Sequence, residues 1–181
     1  MGAELIPFSP IGDSDLPPNI HGLYLGGGYP ELHAAALSKN HPMRASIKAK
    51  LEDGLPCIAE CGGYMYLTHS IDNFPMCGYL PGNCHNTGKL TRFGYVRMKA
   101  DSESVLCPSG KEIPAHEFHY WDSDTSGDGF TAVKSSEKQW KCAFVSDHFY
   151  AGFPHFHFYA DPDIAPRFYR ACLRYKEYSH A

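Results

Sequence analysis

The 181-residue sequence lacks the features that define several classes of protein. It has no window of about 18 apolar residues, the length that a membrane-spanning helix needs. Its first residues do not combine a basic region with an apolar core, as a secretory signal peptide does. Sixteen lysines and arginines stand against 20 aspartates and glutamates, with no long block of either sign. These absences argue against membrane insertion, export and nucleic-acid binding, and they predict a cytoplasmic protein.

Cysteine occurs in an odd number and without the short paired spacings of a zinc ribbon. The chain also lacks the cysteine density of a disulfide-stabilised secreted fold. This pattern predicts a reducing compartment, with most thiols acting as small apolar residues of the core. The seven cysteines are Cys57, Cys61, Cys77, Cys84, Cys107, Cys142 and Cys172.

The composition is sufficient for one sizeable core, since 43% of the residues are hydrophobic and 14% are aromatic. With no internal repeat or low-complexity linker, the chain is predicted to form a single domain over residues 1–181. Strand-like and helix-like segments alternate in the first 71 residues. Strands are predicted over 3–10, 22–28 and 55–60, and helices from near Pro30, over 42–54 and over 62–71.

The order strand, strand, helix, helix, strand, helix predicts an α/β domain with a largely parallel sheet. Short strand-like runs follow from residue 74, and a final helix is predicted over 165–179, with Pro166 near its start. Strands that extend or flank the parallel core would complete a three-layer α/β sandwich.

The stretch PCIAECGGYMYL places Cys61 between a predicted strand and a predicted helix. A sharp turn at this point would lift the thiol above the end of the sheet, and the helix N-terminus would favour thiolate. Gly62 and Gly63 would let the backbone approach a substrate closely, with the Gly62 N–H facing a developing oxyanion. The same pattern also suits a metal ligand or a packed core thiol.

A cysteine nucleophile needs a base, and the run YAGFPHFHFYADP supplies two histidines. If the run is extended, His155 and His157 lie on one face and either can take the thiol proton. They can equally be hydrogen-bonded core histidines. A structural metal pair with His116 and His119 of the HEFH segment is a further alternative.

Five segments in a fixed order resemble a known family: GLYLGGGYPEL, AECGGYMYL, RFGYV, HEFHYW and FPHFHFYADP. They are similar to the glutamine amidotransferase domain of cobyrinic acid a,c-diamide synthases, a branch of the class I, triad-type glutaminases. The likeness runs from about Ala3 to about Tyr175. It implies a flavodoxin-like three-layer α/β sandwich and a glutaminase activity.

The resemblance also implies roles for particular residues. Cys61 matches the nucleophile of the family and His155 matches its catalytic histidine. Gly28 and Gly62 match the residues whose backbone amides form the oxyanion hole. The segment GGGYPE has neither the GxGxxG spacing nor the lysine of a phosphate-binding loop, in agreement with this assignment.

One position departs from most class I glutaminases, which carry a glutamate two residues after the catalytic histidine. Here that position is His157, so the acid that orients His155 is unassigned. The candidates for a supporting role are Glu31, Glu60, Glu117 and His157 itself, and the sequence does not place any of them beside His155.

The resemblance implies L-glutamine as the substrate, with no metal or other cofactor in this chain. Ammonia would pass to a synthetase domain or subunit that uses ATP and Mg²⁺ to activate the a- and c-carboxylates of a corrin precursor. A related enzyme amidates a nickel tetrapyrrole, so the acceptor stays open. No nucleic acid or membrane partner is expected.

The family carries a further strand and helix before the segment that matches residues 2–10, and a synthetase domain before that. We therefore expect a fold that lacks its first strand and helix, and self-association or a partner that covers the exposed edge. Two alternatives remain beside the glutaminase. One is a catalytically weak docking module, and the other is a metal-dependent hydrolase built on His116, His119, His155 and His157.

Overall fold

The computed structural model describes residues 1–179. The strands are β1 (Leu23–Leu25), β2 (Cys57–Glu60), β3 (Ser70–Ile71), β4 (Phe74–Pro75), β5 (Asn83–Asn86), β6 (Arg92–Ala100), β7 (Glu112–His119), β8 (Trp121–Ser123), β9 (Phe130–Val133), β10 (Gln139–Cys142), β11 (Phe144–Ser146), β12 (Phe149–Gly152) and β13 (His155–Phe156). The helices are a 3₁₀ turn at Pro30–His33, α1 (Ala34–Lys39), α2 (His41–Glu52), α3 (Gly62–Leu67) and α4 (Ile164–Ser179).

A central sheet of four strands has the order β1, β2, β12, β11. Its first three strands are parallel, and β11 pairs with β12 in the antiparallel direction. All four residues of β2 are buried, as expected for a parallel strand that is covered on both faces. The predicted α/β class is confirmed, with one antiparallel strand added to the parallel core.

The two faces of the central sheet bury different layers because successive side chains of a strand alternate in direction. Cys57 and Ala59 belong to a core that includes residues of α1, α2 and α3. Ile58, between them, belongs to a second core with residues of an antiparallel sheet of order β10, β9, β6, β7, β13. A smaller sheet, of order β4, β3, β5, β8, flanks the first core. The central sheet is therefore the middle of three layers.

The predicted helices over 42–54 and 165–179 are confirmed as α2 and α4. At the start of α2 the Asn40 side chain accepts a hydrogen bond from the Met43 N–H at 3.4 Å, and Pro42 lies in the first turn. The helix predicted over 62–71 is wrong in its second half. It ends at Leu67 because Thr68 is extended, and Ser70–Ile71 pairs as β3.

The strand predicted over 3–10 is also wrong, because this segment forms no strand and is mostly exposed. Pro7 and Pro10 lack the N–H groups that a sheet ladder needs. Its end is a turn in which the Asp13 N–H donates to the Ser9 carbonyl at 2.9 Å. Within residues 1–179, β1 is therefore one edge strand of the central sheet, and β11 is the other. No helix in this part of the chain combines the length and apolarity needed to cross a membrane.

Candidate active site

Cys61 lies at the turn between β2 and α3, as the sequence predicts. Its backbone has φ 49° and ψ −103°, a conformation that a residue with a side chain rarely adopts. Hydrogen bonds hold it on both sides: the Cys61 N–H donates to the Gly152 carbonyl at 2.8 Å, and its own carbonyl accepts from the Met65 N–H at 2.9 Å. Strain that is fixed in this way is typical of functional turns.

The glycines beside Cys61 permit very close packing of backbone. A Cβ at Gly62 would lie 2.7 Å from the Gly28 carbonyl oxygen, and a Cβ at Gly63 would overlap the carbonyl oxygen of Leu25. The first turn of α3 thus rests directly on the end of β1 and on the glycine segment, residues 26–28. The structure brings together Gly28 and Gly62, the two glycines expected to form an oxyanion hole.

Cys61 is 8% exposed, and burial raises the pKa of its thiol to about 12. The Gly62 backbone hydrogen bond lowers the pKa, whereas the charges of Glu31, Glu117 and Glu60 raise it further. The amide at the helix N-terminus therefore acts in the expected direction, but the net pKa of the thiol is raised. Helix α3 has only six residues, and burial outweighs the single amide at its start.

His155 begins β13, at the edge of the antiparallel sheet. A Cβ at Gly27 would overlap the Cε1 atom of the His155 ring, so the Cε1 edge of the ring packs against the glycine segment. The same segment contacts Gly62, the residue after Cys61. The turn that bears Cys61 and the ring of His155 therefore contact the same glycine segment, although the two residues are 94 positions apart in the sequence.

Among the candidate acids, Glu60 is the one whose carboxylate faces His155. Its Oε2 atom lies 3.8 Å from His155 Nδ1. The carboxylate is 3% exposed and accepts two hydrogen bonds, from the Phe156 N–H at 2.9 Å and from the Tyr24 hydroxyl at 2.7 Å. Glu117 instead has its Oε1 atom 3.8 Å from Nε2 of His119.

The pKa of His155 is lowered from its ordinary value of 6.5, mainly because burial disfavours the charged ring. Glu60 and Glu117 raise this pKa, and His116 and His119 lower it. The net direction favours a neutral ring near pH 7, and a neutral imidazole is able to accept a proton. His155 has the protonation state that a general base requires.

The expectation that His155 and His157 share one face of a strand is wrong. Strand β13 ends at Phe156, and the exposed His157 lies in the following turn with its ring centroid 5.9 Å from that of Tyr159. His119 is committed elsewhere, because its Nδ1 atom pairs with the Trp121 carbonyl at 2.6 Å. No group of three or more potential metal ligands forms within residues 1–179.

Tyr24 is a site residue that the sequence did not identify. It lies between the buried Leu23 and Leu25 of β1, and its position pairs with Ile58 of β2. Because tyrosine is common in strands, its presence in β1 did not indicate that its hydroxyl donates to Glu60.

Comparisons with known proteins agree with this geometry. Residues 1–163 match the family described as the CobB/CobQ-like glutamine amidotransferase domain. The cobyrinate a,c-diamide synthase of Caldanaerobacter subterraneus is 40% identical over 95% of this chain and 40% of its own length. That of Clostridium acetobutylicum is 39% identical, over 89% of this chain and 38% of its length. The hydrogenobyrinate a,c-diamide synthase of Streptomyces coelicolor is 35% identical, over 94% and 35%.

A crystal structure of a glutamine amidotransferase superposes on the chain with a TM-score of 0.54 and 14% sequence identity, covering 88% of this chain and 81% of that one. This likeness agrees with the predicted flavodoxin-like α/β fold. The chain spans about two fifths of the length of the first curated relatives that it matches. On the match of residues 1–163, the chain belongs to the CobB/CobQ-like glutamine amidotransferase domain family.

Proposed function

We propose that this chain hydrolyses L-glutamine through a thioester on Cys61 and supplies the ammonia to an ATP-dependent ligase. The observation that carries the proposal is the packing of one glycine segment, residues 26–28, against both sides of the site. It contacts the turn that bears Cys61 and the ring of His155. A nucleophile at a strained turn with a neutral histidine nearby is the arrangement that acyl transfer by cysteine needs.

In the proposed reaction His155 accepts the Cys61 proton, and the sulfur attacks the side-chain amide carbon of glutamine. The resulting oxyanion accepts hydrogen bonds from the Gly62 and Gly28 N–H groups. His155 then gives the proton to the amide nitrogen, the C–N bond breaks, and ammonia leaves. Water hydrolyses the thioester, which releases glutamate and restores the thiol.

The raised pKa of Cys61 fits a site that is silent without substrate. A thiol with a pKa near 12 holds its proton at neutral pH, so attack requires transfer to His155 at the moment that the amide is in place. The Gly62 backbone hydrogen bond already favours thiolate. In the proposed reaction, formation of the oxyanion in the oxyanion hole provides the remaining stabilisation of the negative charge.

The names of the relatives indicate the reaction that consumes the ammonia. They are cobyrinate and hydrogenobyrinate a,c-diamide synthases, more than twice as long as this chain's matching part. We propose that a synthetase partner of that kind binds ATP and Mg²⁺, activates the a- and c-carboxylates of cobyrinic acid or a related tetrapyrrole, and receives ammonia from this chain. The proposed role of the chain is therefore a step of cobalamin biosynthesis.

The test is to incubate the purified full chain with L-glutamine and measure glutamate, and to label it with a glutamine-mimicking electrophile. Peptide mass spectrometry should find the label on Cys61 in preference to the other six cysteines. Cys172 is the matched control, because it is the most exposed of the seven cysteines and the others are buried. Labelling mainly at Cys172, in a chain that forms no glutamate, would contradict the proposal.

A further inference from the structure

We propose that Glu60 is the carboxylate that orients His155, and that the Tyr24 hydroxyl holds Glu60 in position for this task. The inference rests on the proposed glutaminase function and adds a positioning pair to it. Most class I glutaminases carry the orienting glutamate two residues after the histidine. In this chain the proposed orienting glutamate comes from a different strand. The last residue of β2, Glu60, then supplies the acid, and the next residue, Cys61, supplies the nucleophile.

The contacts of the Glu60 carboxylate tie it to the strand that carries the histidine. Oε1 accepts the backbone N–H of Phe156, the residue after His155, at 2.9 Å. Oε2 accepts the Tyr24 hydroxyl at 2.7 Å and lies 3.8 Å from His155 Nδ1. Three strands therefore converge on one carboxylate: β1 through Tyr24, β2 through Glu60 and β13 through Phe156.

Two of the carboxylate's acceptor positions are occupied, and two remain, because each oxygen accepts up to two hydrogen bonds. The His155 ring faces Oε2 with its Nδ1 atom, which is able to donate a hydrogen bond. A distance of 3.8 Å exceeds that of a hydrogen bond, but the corresponding bonds in substrate-free enzymes are often long and tighten when substrate binds.

A hydrogen bond from Nδ1–H to Glu60 has a defined chemical result. It fixes the tautomer in which Nε2 carries the lone pair and can accept the thiol proton. It also stabilises the imidazolium that forms once the proton has moved. Since Glu60 is 3% exposed, little water competes with the histidine for the carboxylate.

The charged and titratable groups around His155 come from two strands besides its own. Glu60 approaches from β2, and His116, Glu117 and His119 belong to β7. Glu60 has a larger effect on the charge state of His155 than Glu117 has, and both favour the charged ring. Removal of Glu60 is therefore expected to lower the pKa of His155 further.

The experiment measures glutamine hydrolysis by the full chain across pH 5 to 9 for wild type and Glu60→Gln. Glutamine keeps the shape and can still accept the Phe156 N–H, but it has no charge. We expect kcat to fall about 10²-fold or more with KM within threefold, since loss of an orienting acid acts on the transition state. The acidic limb of kcat/KM should move to lower pH.

Two more variants separate positioning from a merely structural role. Tyr24→Phe removes the hydroxyl alone and should lower kcat about three- to tenfold, with the acidic limb shifted in the same direction. Glu60→Asp keeps the charge, so it should be more active than Glu60→Gln. Its acidic limb of kcat/KM should return toward the wild-type pH. Thermal unfolding of each variant shows whether the fold is retained.

NMR titration of the His155 ring makes the outcomes distinguishable. The midpoint should be lower in Glu60→Gln than in wild type, whether or not glutamine is hydrolysed. If wild type forms no glutamate, the proposed function fails, while an unchanged midpoint overturns the pairing. If wild type is active, two results would overturn the role of Glu60. One is an active Glu60→Gln variant whose acidic limb of kcat/KM is unshifted, and the other is a larger loss of kcat in Glu117→Gln than in Glu60→Gln. Neither result would contradict the proposed glutaminase function.

Discussion

Two buried glutamates face two histidines at the same separation and in different surroundings. Glu60 Oε2 lies 3.8 Å from His155 Nδ1, and Glu117 Oε1 lies 3.8 Å from His119 Nε2. Both carboxylates are almost inaccessible, but 33% of the His155 side chain is exposed against 3% for His119. The histidine of the first pair is accessible to solvent, whereas the second pair is sealed within the fold.

The hydrogen bonds of the two pairs differ as well. Both oxygens of Glu60 have donors, whereas Glu117 Oε2 and His119 Nε2 make no hydrogen bond within residues 1–179. A cavity of about 10 Å³ beside Glu117 and Cys142 is near the size of one water molecule. Equal spacing of acid and histidine therefore does not distinguish the two pairs, whereas the hydrogen bonds of the carboxylate and the exposure of the ring do.

The largest expected effect compares the cysteines that belong to the two regions. Burial raises the pKa of both Cys61 and Cys142 to about 12, so intrinsic acidity does not distinguish them. Cys61→Ala should lower glutamine hydrolysis by roughly 10⁴-fold or more, because it removes the attacking atom. Cys142→Ala should retain activity and lose about 1 kcal/mol of stability for the buried sulfur. Glutamate release and urea unfolding measure the two quantities.

The histidines should respond in opposite ways to the same substitution. His155→Ala is expected to lower kcat roughly 10³-fold with little loss of stability, because the ring is partly exposed and is the proposed base. His119→Ala removes a ring stacked on Phe153 at 4.0 Å and a hydrogen bond to Trp121, and should cost about 1–3 kcal/mol in urea unfolding.

An exposed histidine provides the control for this experiment. His157→Ala should keep both stability and the chemical step close to wild type if His155 is the base, since His157 lies in the turn after β13. Loss of the chemical step in the His157 variant alone would show that the wrong histidine had been chosen.

How far the sequence predicts this site depends on how local each feature is. Cys61 at a strand-to-helix turn was predictable, because an apolar run followed by Gly62 and Gly63 is a local pattern. The pairing of Glu60 with His155 was not, because it depends on the parallel register that sets Gly152 opposite Glu60 and on the position of β13. The sheet register decides which of the glutamates reaches the ring.

Two errors have the same physical origin, since local patterns do not show where a strand stops pairing. Residues 3–10 carry apolar side chains suited to a strand, but two prolines interrupt the donors that a ladder needs. The alternation of aromatic and histidine residues from 155 to 158 suggests a longer strand than the two residues that pair with β7. His157 was misplaced for that reason.

A smaller effect is expected when the sealed pair, Glu117 and His119, is changed. Because His119 Nδ1 donates to the Trp121 carbonyl, a neutral ring leaves Nε2 as an acceptor beside Glu117. Glu117→Gln places an amide donor there and removes a buried charge. We expect the free energy of unfolding in urea at pH 7 to stay constant or rise by up to about 1 kcal/mol. A loss of more than about 1 kcal/mol would show that the pair is a charged bridge.

The smallest expected effect is a pH dependence of stability that comes from His155, in the pair with Glu60. Burial lowers the pKa of His155 below its ordinary value of 6.5, so between these two values the unfolded chain binds a proton that the folded chain does not. The contribution of the neutral ring to the free energy of unfolding is therefore complete above pH 6.5 and is lost as the pH falls toward the lowered pKa. Urea unfolding at pH 7.5 and pH 5.5 should show a smaller decrease for His155→Gln than for wild type. If the free energy of unfolding decreased as much in His155→Gln as in wild type, the titrating group would be a residue other than His155.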